Sequence, residues 1–288
     1  MRRDVLDLRA FYAAPLGRAA RTMLTRKVEE AWGDTRDLDV LGVGYATPFL
    51  DAARTRARRV VAAMPAQQGV EVWPLGGRNQ ACLVEETALP LPNAMFDRVL
   101  AVHALEEADD PAALLTEIGR VMAPTGRLIV AASSRDGVWT GAETTPFGHG
   151  RPYSRSQLES LIREAGLEPA GWTRALYVPP FGAMASWAEG FEQVGARLWP
   201  RFAGVILMEA IKQTFAVKPR GHRARARVFA PGVLLPSPAG PTPARHDGGR
   251  PAPVHRAPSA RHAQSHLERS AGTPSLGRNN RSLPGAAP

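Results

Sequence analysis

Leu89-Pro90-Leu91-Pro92-Asn93-Ala94-Met95-Phe96-Asp97-Arg98-Val99-Leu100 decides how this chain is read. It continues through His103-Ala104-Leu105-Glu106-Glu107 and Leu114-Leu115-Thr116-Glu117-Ile118-Gly119-Arg120-Val121-Met122-Ala123-Pro124-Thr125-Gly126-Arg127-Leu128. Pro90 and Pro92 stop the segment from continuing as strand or helix. Phe96–Val102 is an apolar run of strand length, and Asp97 can satisfy turn N–H groups at its start. Asp110 suits an N-cap and Pro111 the first helical position. Leu114, Leu115, Ile118 and Val121 share one face, so a helix is expected over Asp110–Met122. Glu117 and Arg120 lie one turn apart and can pair. Pro124-Thr125-Gly126 then turns the chain into a strand, Arg127–Ala131.

Upstream, Leu38-Asp39-Val40-Leu41-Gly42-Val43-Gly44-Tyr45-Ala46-Thr47-Pro48-Phe49-Leu50 reads as a strand, a glycine turn and the start of a helix. Such a turn aims backbone N–H groups at the carboxyl end of a strand, where nucleotide-like ligands bind in open α/β sheets. Thr47 is the expected N-cap of a helix running to Arg56. Further strands are expected at Arg59–Met64 and Asn79–Val84, and one helix over Leu6–Trp32 with Phe11, Tyr12, Leu16 and Leu24 as its apolar stripe. Downstream, Ser154 caps a helix ending at Glu164, closed by Gly166. Glu168–Tyr177 and Val205–Phe215 form a final strand pair. Residues 180–203 carry Phe181, Trp187, Phe191, Trp199 and Phe202, as a lid or as a packing element. The alternation predicts an α/β fold: a Rossmann-like doubly wound, mostly parallel sheet with a C-terminal antiparallel edge hairpin.

The chain has 288 residues and a net charge of +9. From Pro219 onward there are eleven Arg, no Lys and two acids, so this stretch holds the whole excess and residues 1–218 are neutral. Two parts are expected: a folded body over 1–218, and a Pro/Arg-rich tail over 219–288 that is mostly disordered. The neutral body argues against a nucleic-acid partner and leaves only the basic tail to suggest one. Cys82 is the single cysteine, so neither an internal disulfide nor a Cys/His metal site is expected. No apolar run is long enough for a membrane span and no secretory leader is read, which predicts a soluble cytoplasmic protein.

The quoted pattern resembles the class I S-adenosylmethionine-dependent methyltransferases of the small-molecule, type 11-like kind, over roughly residues 36–170. That family orders an L-P-F-style loop, F-D-x-V, an L-E-H-like segment and E-x-x-R-V-L-x-P-G-G. The resemblance implies S-adenosylmethionine as cofactor and methyl transfer to a small-molecule acceptor. It implies that Gly42, Gly44 and Ala46 form the turn holding the ligand, with a Cβ at either glycine colliding with it. Glu85, or the adjacent Glu86, would accept the adenine N–H. His103 would line the methionine part of the pocket, as a wall residue or as a candidate general base.

Two departures stand out. The acid usually found two residues before the first glycine is Val40 here, with Asp39 one position out of register. The second strand ends Ala62-Ala63-Met64-Pro65 without a ribose-binding acid; Gln67 can offer an amide oxygen, and no carboxylate follows until Glu71. In the loop after the fifth strand, Arg135, His149, Arg151 and Tyr153 are candidates for holding an acidic or aromatic acceptor, or parts of a rigid connection. The departures keep a second reading open, a methyltransferase-like protein that binds or regulates without turnover. Hydride transfer with a dinucleotide ranks below both.

Overall fold

The computed structural model describes residues 2–181 and 202–212, the single positions 190, 195 and 198, and the pair Arg227–Val228. Most of the aromatic stretch 180–203, and the tail apart from that pair, lie outside the described residues.

Among the described residues, eight strands form one sheet: β1 Asp39–Gly44, β2 Arg59–Pro65, β3 Ala81–Val84, β4 Phe96–Val102, β5 Met122–Ser133, β6 Leu167–Ala175, β7 Val205–Lys212 and β8 Arg227–Val228. Their order is β3-β2-β1-β4-β5-β7-β6-β8. The pairs from β3 to β5 are parallel, whereas β7 runs antiparallel to both β5 and β6. The predicted antiparallel pair is therefore present, with β7 inserted next to β5 and β6 outside it. Arg227–Val228 adds parallel to β6, so ordered pairing reaches past residue 218.

Helices cover both faces, which is why β1 and β4 read as apolar runs rather than alternating ones. Val40, Val60, Leu100 and Ile129 pack on one side beneath α1 (Val5–Ala13) and α2 (Pro15–Trp32). Leu41, Val43, Val99 and Leu128 pack on the other beneath α4 (Pro111–Val121) and α5 (Arg155–Glu164). Between these helices in sequence, α3 (Asp51–Arg56) is a short helix following the glycine turn.

The caps behave as their residue types require. Asp110 accepts from the N–H groups of Ala112 and Ala113, and Ser154 with Gln157 closes a reciprocal capping box on α5. Glu117 and Arg120 hold the proline loop to α4. Glu117 accepts from Leu89 N at 3.0 Å, while Arg120 donates to Leu89 O at 2.8 Å and Leu91 O at 2.9 Å. Asp97 accepts from Asp39 N at 2.9 Å, tying β4 to the start of β1.

Two expectations need correction. The helix read over Leu6–Trp32 is two helices, broken at Ala14, whose ψ of 159° is extended. The following Pro15 excludes residue 14 from the helical region. Nor does Thr47 cap a helix. Thr47–Phe49 is a single 3-10 turn, and the Thr47 hydroxyl instead donates to Glu71 Oε1 at 2.9 Å.

Candidate cofactor site

The strand order reverses between β1 and β4, where an open α/β sheet leaves its ligand crevice at the carboxyl ends. Gly44 lies opposite Val102 in the register, and Tyr45 N donates to Val102 O at 2.8 Å. The turn is tight because of the protein itself. Gly44 has φ +79°, and a Cβ there would sit 2.3 Å from Val102 O. A Cβ on Gly42 would meet Leu50 Cδ1 at 2.7 Å and the buried Ala46 Cβ at 2.8 Å. The collision expected with a ligand is thus first a collision with neighbouring strand, turn and helix.

Around this turn stand Pro65–Gln68 after β2, Glu85 and Glu86 after β3, and His103–Glu107 after β4. Glu71 reaches the turn as well. It accepts from Thr47, and burial, helped by the Glu71 charge, raises the Tyr45 phenol above its ordinary pKa. It is the first carboxylate after β2, and it stands beside the glycine turn.

The N-terminal segment lies across the crevice. Tyr12 stacks on Tyr45 with ring centroids 5.8 Å apart and meets Phe49 edge-on at 5.4 Å. Its hydroxyl lies 2.7 Å from His103 Nε2. Val5 N donates to Gln68 O at 2.9 Å. The Arg2 guanidinium is fully buried, pairs with Glu86, and donates to His103 O and Ala104 O. Arg3 N donates to Glu107 Oε2 at 2.8 Å, and its guanidinium reaches Glu143 O and His149.

The predicted residues fall into two groups. Gly42, Gly44, Ala46 and His103 come together at the buried end of the crevice. Gln67 and Glu85 are exposed, Gln67 donating to Asp109 Oδ2 at 3.0 Å and Glu85 accepting from the Thr87 hydroxyl at 3.2 Å. His103 does not suit the general-base role. Burial, helped by the nearby Arg3 charge, pushes its pKa down to about 3, and its Nε2 faces the Tyr12 hydroxyl. Asp39 is at the amino end of β1, about 16 Å of strand away from Gly44. Arg58 grips it with two hydrogen bonds, of 3.0 and 2.6 Å, and holds its carboxyl below the ordinary range.

The loop after β5 uses its candidates to brace the end of β4. Tyr153 donates to Leu105 O at 3.0 Å and Arg151 to Ala108 O at 3.1 Å. His149 sits against Glu143 O and Arg3. Arg135 is exposed, reaching only Pro152 O at 3.4 Å among the described contacts. Between this loop and β4 lies a residue the motif reading passed over. Glu106 is 4% exposed. One carboxylate oxygen accepts from Ser133 N at 2.8 Å and lies 3.3 Å from the Ser133 hydroxyl, while the other has no partner among the described residues. Burial raises its pKa.

Residues 29–130 match the family model described as a methyltransferase domain. Over that stretch the chain is similar to methyltransferase domains. The matched stretch runs from the end of α2 through the glycine turn to β5. Its fold is that of an S-adenosylmethionine-dependent methyltransferase of Thermotoga maritima. The two are 19% identical, with 73% of this chain and 96% of that one covered at a TM-score of 0.54. It is likewise similar to a chain in a complex between a methyltransferase activator and a methyltransferase of Haloferax volcanii, with 18% identity, 73% and 99% coverage and a TM-score of 0.51. An uncharacterised protein of Mycobacterium tuberculosis is 26% identical over 198 residues, 62% of this chain. The matched stretch spans 63% of the length of that relative. Among the described residues, no helix is long and apolar enough to cross a membrane, and no group of three or more His, Cys, Asp or Glu is placed to hold a metal ion.

The residues present fit S-adenosylmethionine in kind. A glycine turn at the switch point, the acids Glu71, Glu85 and Glu86, and a buried Gln68 amide without partners among the described residues supply acceptors and donors for a cationic, hydroxyl-bearing ligand.

Proposed function

We propose that this protein transfers the methyl group of S-adenosylmethionine to a small-molecule acceptor. The catalytic body is residues 1–218, with Arg227–Val228 of the basic stretch 219–288 added to its sheet. The observation that carries the reading is the glycine turn at the sheet's switch point, set inside a matched methyltransferase domain. The cofactor supplies a methyl group already activated by its sulfonium. The chain's task is then to hold the acceptor nucleophile in line with it and to exclude water, a positioning effect that needs no dyad. His103, buried and partnered by Tyr12, belongs to the wall of the site rather than to proton transfer.

The acceptor enters from the loop after β5, where Arg135 and Arg151 are the exposed cations. The charge neutrality of 1–218 favours a small acceptor over a nucleic acid. Calorimetric titration of the full chain with S-adenosylmethionine and S-adenosylhomocysteine tests the core of this reading. Absence of binding at millimolar ligand refutes it. One observation favours the second reading, a binding protein without turnover: the second strand ends in Met64-Pro65 with no acid. Cofactor binding without S-adenosylhomocysteine release across panels of small amines, phenols and carboxylic acids would select it.

A further inference from the structure

The N-terminal segment uses up polar groups that a ligand in the crevice would need. Arg2 occupies the Glu86 carboxylate and the carbonyl oxygens of His103 and Ala104; Val5 N occupies Gln68 O; Tyr12 occupies His103 Nε2. Other groups are stranded beneath it. Gln68 is 1% exposed, yet neither its side-chain oxygen nor its nitrogen has a partner among the described residues. The Arg2 Nε and one oxygen of Glu106 are also buried without one. Leaving a buried donor or acceptor unpaired is costly, so a closed arrangement that strands several is held only marginally. Burying a guanidinium is itself costly unless it is well paired. The segment also has a joint. Ala14 is extended before Pro15, so α1 is a helix separate from α2 and joined to it by one non-helical residue.

We propose that residues 2–14 are an autoinhibitory strap, latched by Arg2 on Glu86 and by Tyr12 on His103. Its closed position and the cofactor-bound state exclude each other, and opening releases the Gln68 amide to the ligand. This rests on the methyltransferase reading above. Gln68 can both donate and accept, which matches a pair of ligand hydroxyls at the end of β2, a place where this chain has no carboxylate. The strap thus sets the apparent affinity, because only the open fraction of molecules binds.

The test uses the full chain with S-adenosylhomocysteine as probe, measured by calorimetry and by amide hydrogen exchange. Arg2→Ala and Tyr12→Phe each remove one latch without touching the sheet, and each is expected to tighten binding about tenfold. Bound ligand is expected to speed exchange of the Val5–Ala13 amides. Gln68→Leu removes the stranded amide; it is expected to raise the melting temperature and weaken binding at least tenfold. Slower exchange of α1 on ligand binding, or latch variants that bind no tighter than the parent, overturns the strap while leaving the methyltransferase reading standing. A Gln68→Leu protein that binds as the parent does overturns the role given to that amide. If the parent and both latch variants all fail to bind at millimolar ligand, the cofactor reading falls and the strap with it.

Discussion

Replacing Gly44 by Ala separates two reasons why a glycine stands at the turn. At φ +79° an L side chain costs about 1–2 kcal/mol. The added Cβ would also lie 2.3 Å from Val102 O and 3.1 Å from Ala104 Cβ. Relief requires β1 and β4 to part at their carboxyl ends, which strains the Tyr45 N–H bond to Val102 O, worth about 0.5–1.5 kcal/mol. Overpacking adds about 1–3 kcal/mol, for a total of about 2.5–6.5 kcal/mol. Gly166 is the control. Its φ is +77°, but nothing lies within 4 Å of its hypothetical Cβ, so Gly166→Ala should show the conformational cost alone, about 1–2 kcal/mol. Urea unfolding followed by circular dichroism measures both. In thermal scans at roughly 2–4 °C per kcal/mol, Gly44→Ala should lose about 10 °C and Gly166→Ala only a few. Equal destabilisation of the two variants, within about 0.5 kcal/mol, would refute the packing account. If Gly44→Ala were as stable as the control yet bound no S-adenosylhomocysteine, the glycine would be serving the ligand instead.

Asp110→Ala should cost about 1 kcal/mol by leaving the Ala112 and Ala113 N–H groups uncapped, and Asn at that position should restore most of it; an Asn variant no better than Ala would exclude capping as the cause. Arg120→Lys keeps the charge but loses the fork that reaches both Leu89 O and Leu91 O. With the side chain about a third exposed, a loss of about 1 kcal/mol is expected in chemical unfolding, and no loss would show that the proline loop holds itself. Glu106 has a folded-state pKa raised by burial, so the native state keeps its proton above the ordinary 4.5. Its favourable contribution is complete below that ordinary value and is lost as pH rises through the raised folded value. Glu106→Gln should therefore flatten the fall in stability on the alkaline side of pH 4.5. A variant whose stability–pH curve parallels the parent's would refute that assignment.

The sheet was legible because each element declares itself within a few residues. Apolar runs mark β1 and β4, Asp110-Pro111 and Ser154 mark helix starts, and Glu117 and Arg120 mark the clamp on the proline loop. The break at Ala14 was equally local and followed from Pro15, but the apolar stripe running through Leu16 and Leu24 hid it. The strap was not legible. Arg2 and Glu86 are 84 residues apart and Tyr12 and His103 are 91 apart, and nothing near either partner marks the pairing. Tyr12 looked like one more member of an apolar stripe, and its hydroxyl gained meaning only when folding brought it to an imidazole.

The two pairs of adjacent polar residues at the crevice separate what could have been read from what could not. In both, the residue facing inward is the second. After β3, Val84 is buried, Glu85 exposed and Glu86 buried, which is the period-two alternation of a strand carried two residues beyond its end. That alternation was available in the sequence, and applying it would have favoured Glu86 over Glu85. After β2 the spacing differs. Pro65 is buried, Ala66 and Gln67 are exposed and Gln68 is buried. Here the chain has left the strand, because Gln68 N donates to Pro65 O at 2.9 Å and Gly69 follows at φ +87°. The turn, not the strand period, swings Gln68 under α1 and leaves Gln67 to reach Asp109. The choice between the two glutamines thus depends on where β2 stops pairing. That point is fixed by β3 through the Pro65–Val84 register, a partner set by tertiary structure and not by the residues on either side.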